Sequence, residues 1–364
     1  MSKLSLDLAV PDIEVPAEVL SKLQANSPVA IGVSGGKDSS AVAISVVDYL
    51  RKNGFKNEVI LVHADLGVTE WADSMPTCDR LSAFLEVPML VVRRKQGDMM
   101  DRWEQRWRDN LKRWSDLSCV KLILPWSTPS MRFCTSELKV DQIARALRAR
   151  WPGQHIINVT GIRASESNER AKAPLWKPQP KLKDAKGTTG SDWHPIHKWS
   201  LQDVLNIGER FALHEAYLGF GSSRVSCVIC ILATVSDHLA ATRDPRNHAV
   251  IRRMCKLETT STFAFQGERW LSDTVQSALG LDPQLVATAK EKAALREQIE
   301  LEIPEHLLYE KGWPRAMPTV EEAGILSSVR SRLAKILQLS TNIVSTRSIL
   351  DRYRQLLDLK KDKT

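Results

Sequence analysis

The sequence predicts an α/β fold in which a parallel, twisted sheet carries helices on both faces, followed by a helical carboxyl-terminal domain. The first observation is that short apolar runs alternate with helical stretches in the amino-terminal part of the chain. The second is that strand-like runs stop near residue 237, after which helical patterns dominate. With 364 residues, 43% of them apolar, the chain has enough mass for two domains. We predict an amino-terminal segment 1–28, an α/β domain 29–236 and a helical domain 237–364.

The order of the elements supports the parallel sheet. Each predicted strand is a short apolar run, and helical stretches joined by short connections separate the first three of them, as in βαβ units. Parallel strands of this kind are buried on both faces, so their runs need no polar alternation. The predicted strands are 29–33, 58–63, 88–92 and 156–160, and the predicted helices between them are 41–50, 81–85 and 97–114.

Amphipathic patterns identify the helices that pack on a core. Trp103, Trp107 and Trp114 follow spacings of four and seven, so we expect one helix face to bury them. In the carboxyl-terminal domain, Thr319-Val320-Glu321-Glu322 has the order of a capping box, and 345–359 is amphipathic.

A long segment, 170–193, is rich in lysine, proline and glycine and has almost no periodicity. Segments of this length without secondary structure are usually solvated insertions or functional lids. Two interpretations therefore remain: a solvated insertion, or a basic flap that closes over an anionic substrate.

Charge and composition narrow the class of partner and the compartment. The formal net charge is +8 and the isoelectric point is near 9.2, which favours polyanionic partners. There is no apolar run of membrane-spanning length, and residues 1–16 carry Asp7, Asp12 and Glu14 where a signal peptide would be basic and then apolar. We expect a cytoplasmic protein without a membrane partner. In that reducing compartment its six cysteines would be thiols or metal ligands.

The strongest motif follows the first predicted strand. Two adjacent glycines let several N–H groups point at one anion, and the helix dipole and a lysine add positive potential. The pattern is neither a Walker loop nor Gly-x-Gly-x-x-Gly. The sequence therefore predicts a phosphate site of a different kind at Ser34, Gly35, Gly36, Lys37, Asp38 and Ser39.

This motif resembles the pyrophosphate loop (PP-loop) of the ATP pyrophosphatases, which split ATP between its α and β phosphates. The resemblance implies an adenine nucleotide alpha hydrolase-like fold, ATP as the nucleotide and Mg²⁺ as its counterion. It makes Ser34, Gly35, Gly36, Lys37 and Ser39 phosphate ligands, and Asp38 a group that orients the loop or a Mg²⁺. We expect Lys37, Arg163 and Arg170 to be the catalytic residues, because they stabilise the charge that accumulates on the phosphate oxygens. The segment His63-Ala64-Asp65-Leu66-Gly67 resembles the family's nucleotide-contacting Asp-x-Gly, which places ribose or adenine near Asp65.

A second set of candidates follows the fourth predicted strand, at the same sheet edge. Arg163 and Arg170 could clamp phosphate or sulfate oxygens, with Glu166 holding Arg163. Together with 195–199, 214–219 and 224–230, the ordered series resembles the phosphoadenosine phosphosulfate reductase branch of the family. That branch includes sulfonucleotide reductases and enzymes that insert sulfur into the DNA backbone.

The cysteines point to a metal site. Cys227 and Cys230 are separated by two residues, which lets the chain curl round one metal or cluster. Cys134 resembles the upstream cluster cysteine of the same family, so the resemblance implies a [4Fe–4S] cluster on these three. The fourth ligand is Cys255 or Cys119, or one iron is open; zinc and structural thiols are the alternatives.

One difference distinguishes this chain from the sulfonucleotide reductases. Sulfonucleotide reductases carry a nucleophilic cysteine in a carboxyl-terminal tail, whereas the last cysteine here is Cys255. We therefore expect an enzyme that adenylylates a DNA phosphate for phosphorothioate modification, with a cysteine desulfurase as sulfur donor and other phosphorothioation subunits as partners. A sulfonucleotide reductase, a tRNA-thiolating enzyme and an inactive nucleic-acid-binding subunit are the alternatives.

Overall fold

The computed structural model describes residues 11–208 and 210–361. The predicted amino-terminal segment 1–28 is thus described from residue 11 onward, and residues 1–10 lie outside the described part. The strands of the described chain form one six-stranded sheet in the order β3-β2-β1-β4-β6-β5. They are β1 Val29–Val33, β2 Val59–Asp65, β3 Met89–Arg93, β4 His155–Val159, β5 Trp176–Pro178 and β6 Thr189–Trp193.

The sheet is parallel except at one edge. Val29 pairs with Val59 of β2 on one side and with Ile157 of β4 on the other, both in parallel. β6 continues the parallel sheet beside β4, and β5 is antiparallel to β6. The strand order reverses at β1, so the carboxyl ends of β1 and β4 flank a crevice of the kind that binds ligands.

Helices of eight or more residues follow the predicted alternation and then dominate the carboxyl-terminal region. The α2 helix begins at Lys37, four residues before the predicted start, because it takes in the end of the glycine loop. An additional helix, α1, precedes the first strand and was not predicted. The helices are α1 Ala17–Gln24, α2 Lys37–Lys52, α3 Ser74–Leu85, α4 Met99–Ser115, α5 Asp141–Arg150, α6 Leu201–Gly208, α7 Val235–Thr242, α8 His248–Ser261, α9 Leu271–Leu279, α10 Pro283–Glu300, α11 Val320–Leu337 and α12 Thr346–Lys361.

Helices cover both faces of the sheet, as predicted. Val29 and Ile31 of β1 are buried on one face with residues of α2, while Ala30 between them is buried on the other. That second face packs on Ala144 and Leu147 of α5. Because each β1 side chain is buried whichever face it points to, the strand is an unbroken apolar run.

Internal contacts divide the chain into two compact units that are not continuous in sequence. The first comprises 1–99 and 129–251, and the second comprises 100–128 and 252–364. Most of α4 therefore belongs to the second unit, although the predicted domain 29–236 included it. The predicted boundary at 236/237 stays a prediction about domain organisation.

The second unit confirms several helical patterns. Trp103, Trp107 and Trp114 are all buried, so the tryptophan stripe is core. Thr319 caps α11 by accepting a hydrogen bond from the Glu322 N–H, and the Glu322 carboxylate accepts the Thr319 N–H in return, which completes the predicted capping box.

The interpretation of 170–193 as an insertion or flap is wrong in two places, because residues 176–178 form β5 and residues 189–193 form β6. The β6 strand lies between β4 and β5 in the sheet. Its buried Asp192 accepts hydrogen bonds from Asn158 at 2.7 Å and from Gln179 at 2.9 Å, so the carboxylate is satisfied inside the fold. The strand lacks an apolar pattern, since polar partners replace apolar contacts there.

Gly190 should be required by close packing in β6. A Cβ at this position would lie 2.3 Å from the Leu182 side chain and 2.9 Å from the Ile156 carbonyl oxygen. We expect Gly190→Ala to lower the free energy of unfolding by about 1–3 kcal/mol, measured by urea denaturation. Gly32→Ala is the control, because its Cβ would meet nothing closer than 3.5 Å. Equal stability of the two variants would contradict this account of β6.

Candidate nucleotide site and cysteine group

The glycine loop connects β1 to α2, and its backbone packs closely between Ser74 and His214. Gly35 has φ +74°, and a Cβ there would lie 3.0 Å from the Ser74 carbonyl oxygen and 3.3 Å from the His214 ring. The Ser39 hydroxyl accepts the Ser34 N–H at 3.2 Å and donates to the Gly36 carbonyl oxygen at 2.8 Å. The Ser39 hydroxyl thus closes the loop. A glycine is required at position 35, because φ is positive there and the neighbouring atoms leave no room for a side chain.

His214 supports the loop from below. The ring is fully buried, and its Nδ1 accepts the Ala216 N–H at 3.0 Å, so the proton is on Nε2, which lies 3.3 Å from the Ser74 hydroxyl. Burial lowers the pKa of His214 to about 4, so the ring is neutral at neutral pH. His214 also caps the short helix Glu215–Leu218 through the hydrogen bond from the Ala216 N–H.

A cavity of about 550 Å³ opens in front of the loop, at the crevice between β1 and β4. Three carboxylates among the described residues line it together with a larger set of cationic side chains. The excess of cationic over acidic side chains fits a polyanion such as a nucleoside triphosphate. The cationic side chains are Lys37, Lys139, Arg163, Arg170 and Arg224.

Lys37 and Arg163 both hold Asp38. The buried Arg163 guanidinium binds the Asp38 carboxylate through Nε and the Ser165 hydroxyl at 2.8 Å through Nη1. Lys37 Nζ lies 3.7 Å from the same carboxylate and donates to the Ser223 carbonyl oxygen at 3.1 Å. Asp38 is therefore placed to orient the loop, one of the two roles predicted for it. A phosphate-clamping role for Arg163 stays a prediction, since protein groups engage its guanidinium here.

Arg170 is more exposed than Arg163 and lies at the same cavity. Its guanidinium forms an ion pair with Glu166, whose carboxylate also accepts the Arg163 N–H at 3.1 Å. Glu166 thus contacts the Arg163 backbone, and its predicted contact with the Arg163 side chain is replaced by one with Arg170. Its exposure leaves Arg170 better placed than Arg163 to meet a bound anion.

Asp65 lies at the end of β2 but not in the cavity lining, which Ala64 reaches instead. The Asp65 carboxylate accepts the Gly67 N–H at 2.7 Å and pairs with Arg93 at 2.9 Å. Its nucleotide contact stays a prediction.

Three of the six cysteines lie close together beside this cavity. Cys227 pairs with Glu70 in an antiparallel bridge, and the Val228 N–H donates to the Thr69 carbonyl oxygen at 2.7 Å. Burial raises the pKa of Cys227 to about 12; the positive charge of Lys139 opposes this rise, and negative charge on Cys230, Glu70 and Cys134 adds to it. Charges in solution are screened beyond about 10 Å, so Cys134, Cys227 and Cys230 lie in one region of the fold, and they are here called the cysteine group.

The two cysteines considered as a fourth ligand belong to the second unit. Cys255 is buried in α8, and burial raises its pKa to about 12 although a hydrogen bond with Ser272 opposes this. Cys119 is also buried, with the Asn110 side-chain amide 3.8 Å from its sulfur. Each thiol thus has a local partner, and no cysteine forms a disulfide.

Glu70 connects the cavity to the core through His63. The buried His63 ring lies 3.0 Å from the Val33 carbonyl oxygen through Nδ1 and 3.1 Å from the Glu70 carboxylate through Nε2. Burial alone would lower the pKa of His63, but contacts with Cys78 and Glu70 raise it to about 10. The ring is then cationic and both N–H groups have acceptors, which holds the Glu70 side chain at the cavity.

Sequence reasoning missed several lining residues. Tyr217 stands in the 214–219 motif, which was noticed without a role, and Lys139 ends the segment that begins at Cys134. No local sequence pattern marks Glu70, because its contacts with His63 and Cys227 place it at the site.

The parallel sheet, its loop after β1 and its charged cavity define a nucleotide-binding α/β domain of the PP-loop type. Residues 28–217 match the phosphoadenosine phosphosulfate reductase domain, more than half of the 364 residues. The chain belongs to this family. The family comprises enzymes that act on nucleotides in sulfur chemistry.

Other comparisons are more distant. No protein of curated function matches the sequence significantly. Among solved structures, the chain is similar to the U34-tRNA thiolase NcsA from Methanococcus maripaludis, determined with its [4Fe-4S] cluster. That similarity has 13% identity and a TM-score of 0.34, and covers 71% of this chain and 87% of the thiolase. Among the described helices, none combines the length and apolar composition needed to cross a bilayer.

The cysteine group fits a metal in its chemistry. Three neighbouring thiols are the soft donors that iron–sulfur clusters and zinc prefer. In the described part of the chain, no three histidine, cysteine or acidic side chains already surround a common metal position. Metal binding would therefore require the thiols to turn and to lose their protons.

We expect anaerobic reconstitution with iron and sulfide to produce the visible absorption of thiolate-bound iron. Cys227→Ser and Cys230→Ser should each lose most of the bound iron, because each removes a sulfur donor from the group. Iron content and absorbance measure the effect, with Cys78→Ser as the control. Cys255→Ser tests the fourth ligand, since iron content equal to wild type would exclude that thiol. Unchanged iron content in the Cys227 and Cys230 variants would refute the cluster assignment.

Proposed function

We propose that this protein is an ATP pyrophosphatase that adenylylates a DNA backbone phosphate for phosphorothioate modification. The observation that carries the proposal is that the cysteine group lies next to residues that line the cavity in front of the glycine loop. Lys139 and Glu70 line the cavity in front of the loop, and the charge of each acts on the Cys227 thiol. Nucleotide chemistry and sulfur chemistry would therefore take place side by side.

The first step uses the loop. A non-bridging phosphate oxygen of the acceptor attacks the α-phosphorus of ATP, the bond between the α-phosphorus and the bridging oxygen breaks, and pyrophosphate leaves. Lys37 and the loop N–H groups stabilise the charge that accumulates on the departing pyrophosphate. Arg170 is the exposed cation that can meet the acceptor phosphate, while Arg163 holds Asp38 and thereby the loop.

The second step uses the cysteine group. A sulfur nucleophile at the oxidation level of sulfide attacks the activated phosphorus, and AMP leaves with the oxygen that the phosphate contributed. One P–S bond forms, one P–O bond breaks, and no net electron transfer is needed. A cysteine desulfurase is the proposed sulfur source. It supplies the sulfur as a persulfide, and a thiol reductant gives up two electrons, forming a disulfide, to release that sulfur as sulfide before the attack. Other phosphorothioation subunits are the further proposed partners.

Two cofactors belong to the proposal. Mg²⁺ would accompany ATP and neutralise phosphate charge. Asp38 already faces two cations, so it fits the role of loop support better than that of a principal Mg²⁺ ligand. A [4Fe–4S] cluster, when bound, would hold sulfur near the cavity through Cys134, Cys227 and Cys230.

A large polyanion is favoured over a sulfonucleotide as the acceptor. The net charge of +8 favours association with nucleic acid. In a sulfonucleotide reductase a mobile cysteine would be the nucleophile, but Cys255 is buried and its high pKa leaves it protonated. The charge favours tRNA as much as DNA, so the experiment compares the two polymers.

Lys37→Ala should abolish pyrophosphate release from ATP, because the lost ammonium stabilises the charge on the departing pyrophosphate. The melting temperature should stay within a few degrees of wild type, because this ammonium acts on the bound anion and not on the core. Lys52→Ala, at the exposed end of the same helix, is the control and should retain activity. Cells that express wild type, but not Lys37→Ala, should contain DNA with sulfur in its backbone, detected by mass spectrometry of nuclease-resistant dinucleotides. Sulfur in tRNA nucleosides alone would replace the DNA assignment with tRNA thiolation. Full activity of Lys37→Ala would refute the loop assignment.

A further inference from the structure

Tyr217 closes one side of the PP-loop cavity although it follows the loop by 180 residues. Its hydroxyl oxygen accepts the Lys37 N–H at 3.1 Å and the Val225 N–H at 3.2 Å. The Lys37 ammonium lies 4.9 Å from the centre of the Tyr217 ring. The tyrosine is therefore fixed to the first residue of α2, the position where helix N–H groups face an anion.

The hydrogen bonds of Tyr217 use two of the three hydrogen-bonding positions of its hydroxyl. A phenol oxygen has two acceptor lone pairs and one O–H donor. The two N–H groups fill the lone pairs, and among the described residues no hydrogen bond uses the O–H as a donor. Because Tyr217 lines the cavity with Lys37, the remaining proton is available to a ligand bound there.

The protonation state suits donation to an anion. Burial raises the pKa of Tyr217 to about 12, and the charge of Asp38 adds to the rise, while the two N–H groups oppose it. The hydroxyl therefore keeps its proton at neutral pH. Two N–H groups that donate to the same oxygen also polarise the O–H, which strengthens a bond to a charged acceptor.

We propose that Tyr217 is a direct ligand of the nucleotide, donating its hydroxyl proton to a phosphate oxygen held in the PP-loop. This inference rests on the proposed function and adds to the loop a donor from outside the 34–39 motif. This hydrogen bond would be stronger to a charged phosphate oxygen than to a neutral acceptor.

The first test measures binding of inorganic pyrophosphate by calorimetry. Tyr217→Phe keeps the ring beside Lys37 and removes the hydroxyl, so we expect binding weaker by roughly tenfold or more. Tyr49→Phe, in the same unit and outside the cavity lining, is the matched control and should bind as wild type does. Wild-type affinity in Tyr217→Phe would overturn the proposal.

A second test separates a direct ligand from a purely structural tyrosine. Replacement of Tyr217 by a fluorinated tyrosine keeps every atom of the hydroxyl but lets the phenol ionise at lower pH. If the O–H contacts the phosphate, pyrophosphate affinity should fall as pH rises through that ionisation, because a phenolate repels the anion. Wild type should show no such fall over the same range. An identical pH profile would overturn the direct contact, since a phenolate still accepts both N–H groups.

The outcome is distinguishable from failure of the proposed function. If wild type binds pyrophosphate but does not cut ATP to AMP, the proposed reaction is wrong and the Tyr217 test still applies to anion binding. If wild type does cut ATP and Tyr217→Phe binds pyrophosphate equally well, only the tyrosine assignment is wrong.

Discussion

The close passage of the loop backbone between Ser74 and His214 is the constraint on which the rest of the site depends. Only a residue without a side chain fits at Gly35, where φ is positive and the neighbouring atoms lie about 3 Å from any Cβ. The passage turns the chain from β1 into α2 within three residues, which directs the loop N–H groups toward the cavity. The His214 ring packs against this part of the loop and is neutral, because burial lowers its pKa to about 4.

Contacts between residues far apart in sequence assemble the rest of the cavity. Arg163 reaches Asp38 across 125 positions and Tyr217 reaches Lys37 across 180. The strand order makes these contacts possible, because β1 and β4 are neighbours and their carboxyl ends open to the same side. The bridge between Glu70 and Cys227 places the cysteine group next to a residue that lines this cavity. The fold thus brings cationic side chains and a tyrosine hydroxyl to one cavity and three thiols to its neighbourhood.

The sequence predicted the parts of the structure that local physics determines. Apolar runs predicted four of the six strands, and the Ser-Gly-Gly-Lys motif predicted the loop, since both signals lie within a few residues. Residues 189–193 were missed because their buried polar groups are satisfied by Asn158 and Gln179, which no local pattern reveals. Arg163 was predicted as a site residue, but its ion pair with Asp38 was not, because that contact depends on the order of the strands in the sheet. The membership of Lys37, Arg163 and Arg170 in one cavity was predictable; the role of each toward ATP awaits experiment.

The identity of the products formed from ATP tests the central claim most directly. Phosphorus NMR of the purified protein with ATP, Mg²⁺ and duplex DNA distinguishes cleavage after the α-phosphorus from cleavage after the β-phosphorus. We predict pyrophosphate and an equal amount of adenylyl groups, which stay on the DNA phosphate until a sulfur donor displaces them as AMP. Formation of ADP and inorganic phosphate would contradict this prediction, because the loop would then hold the nucleotide for a different reaction.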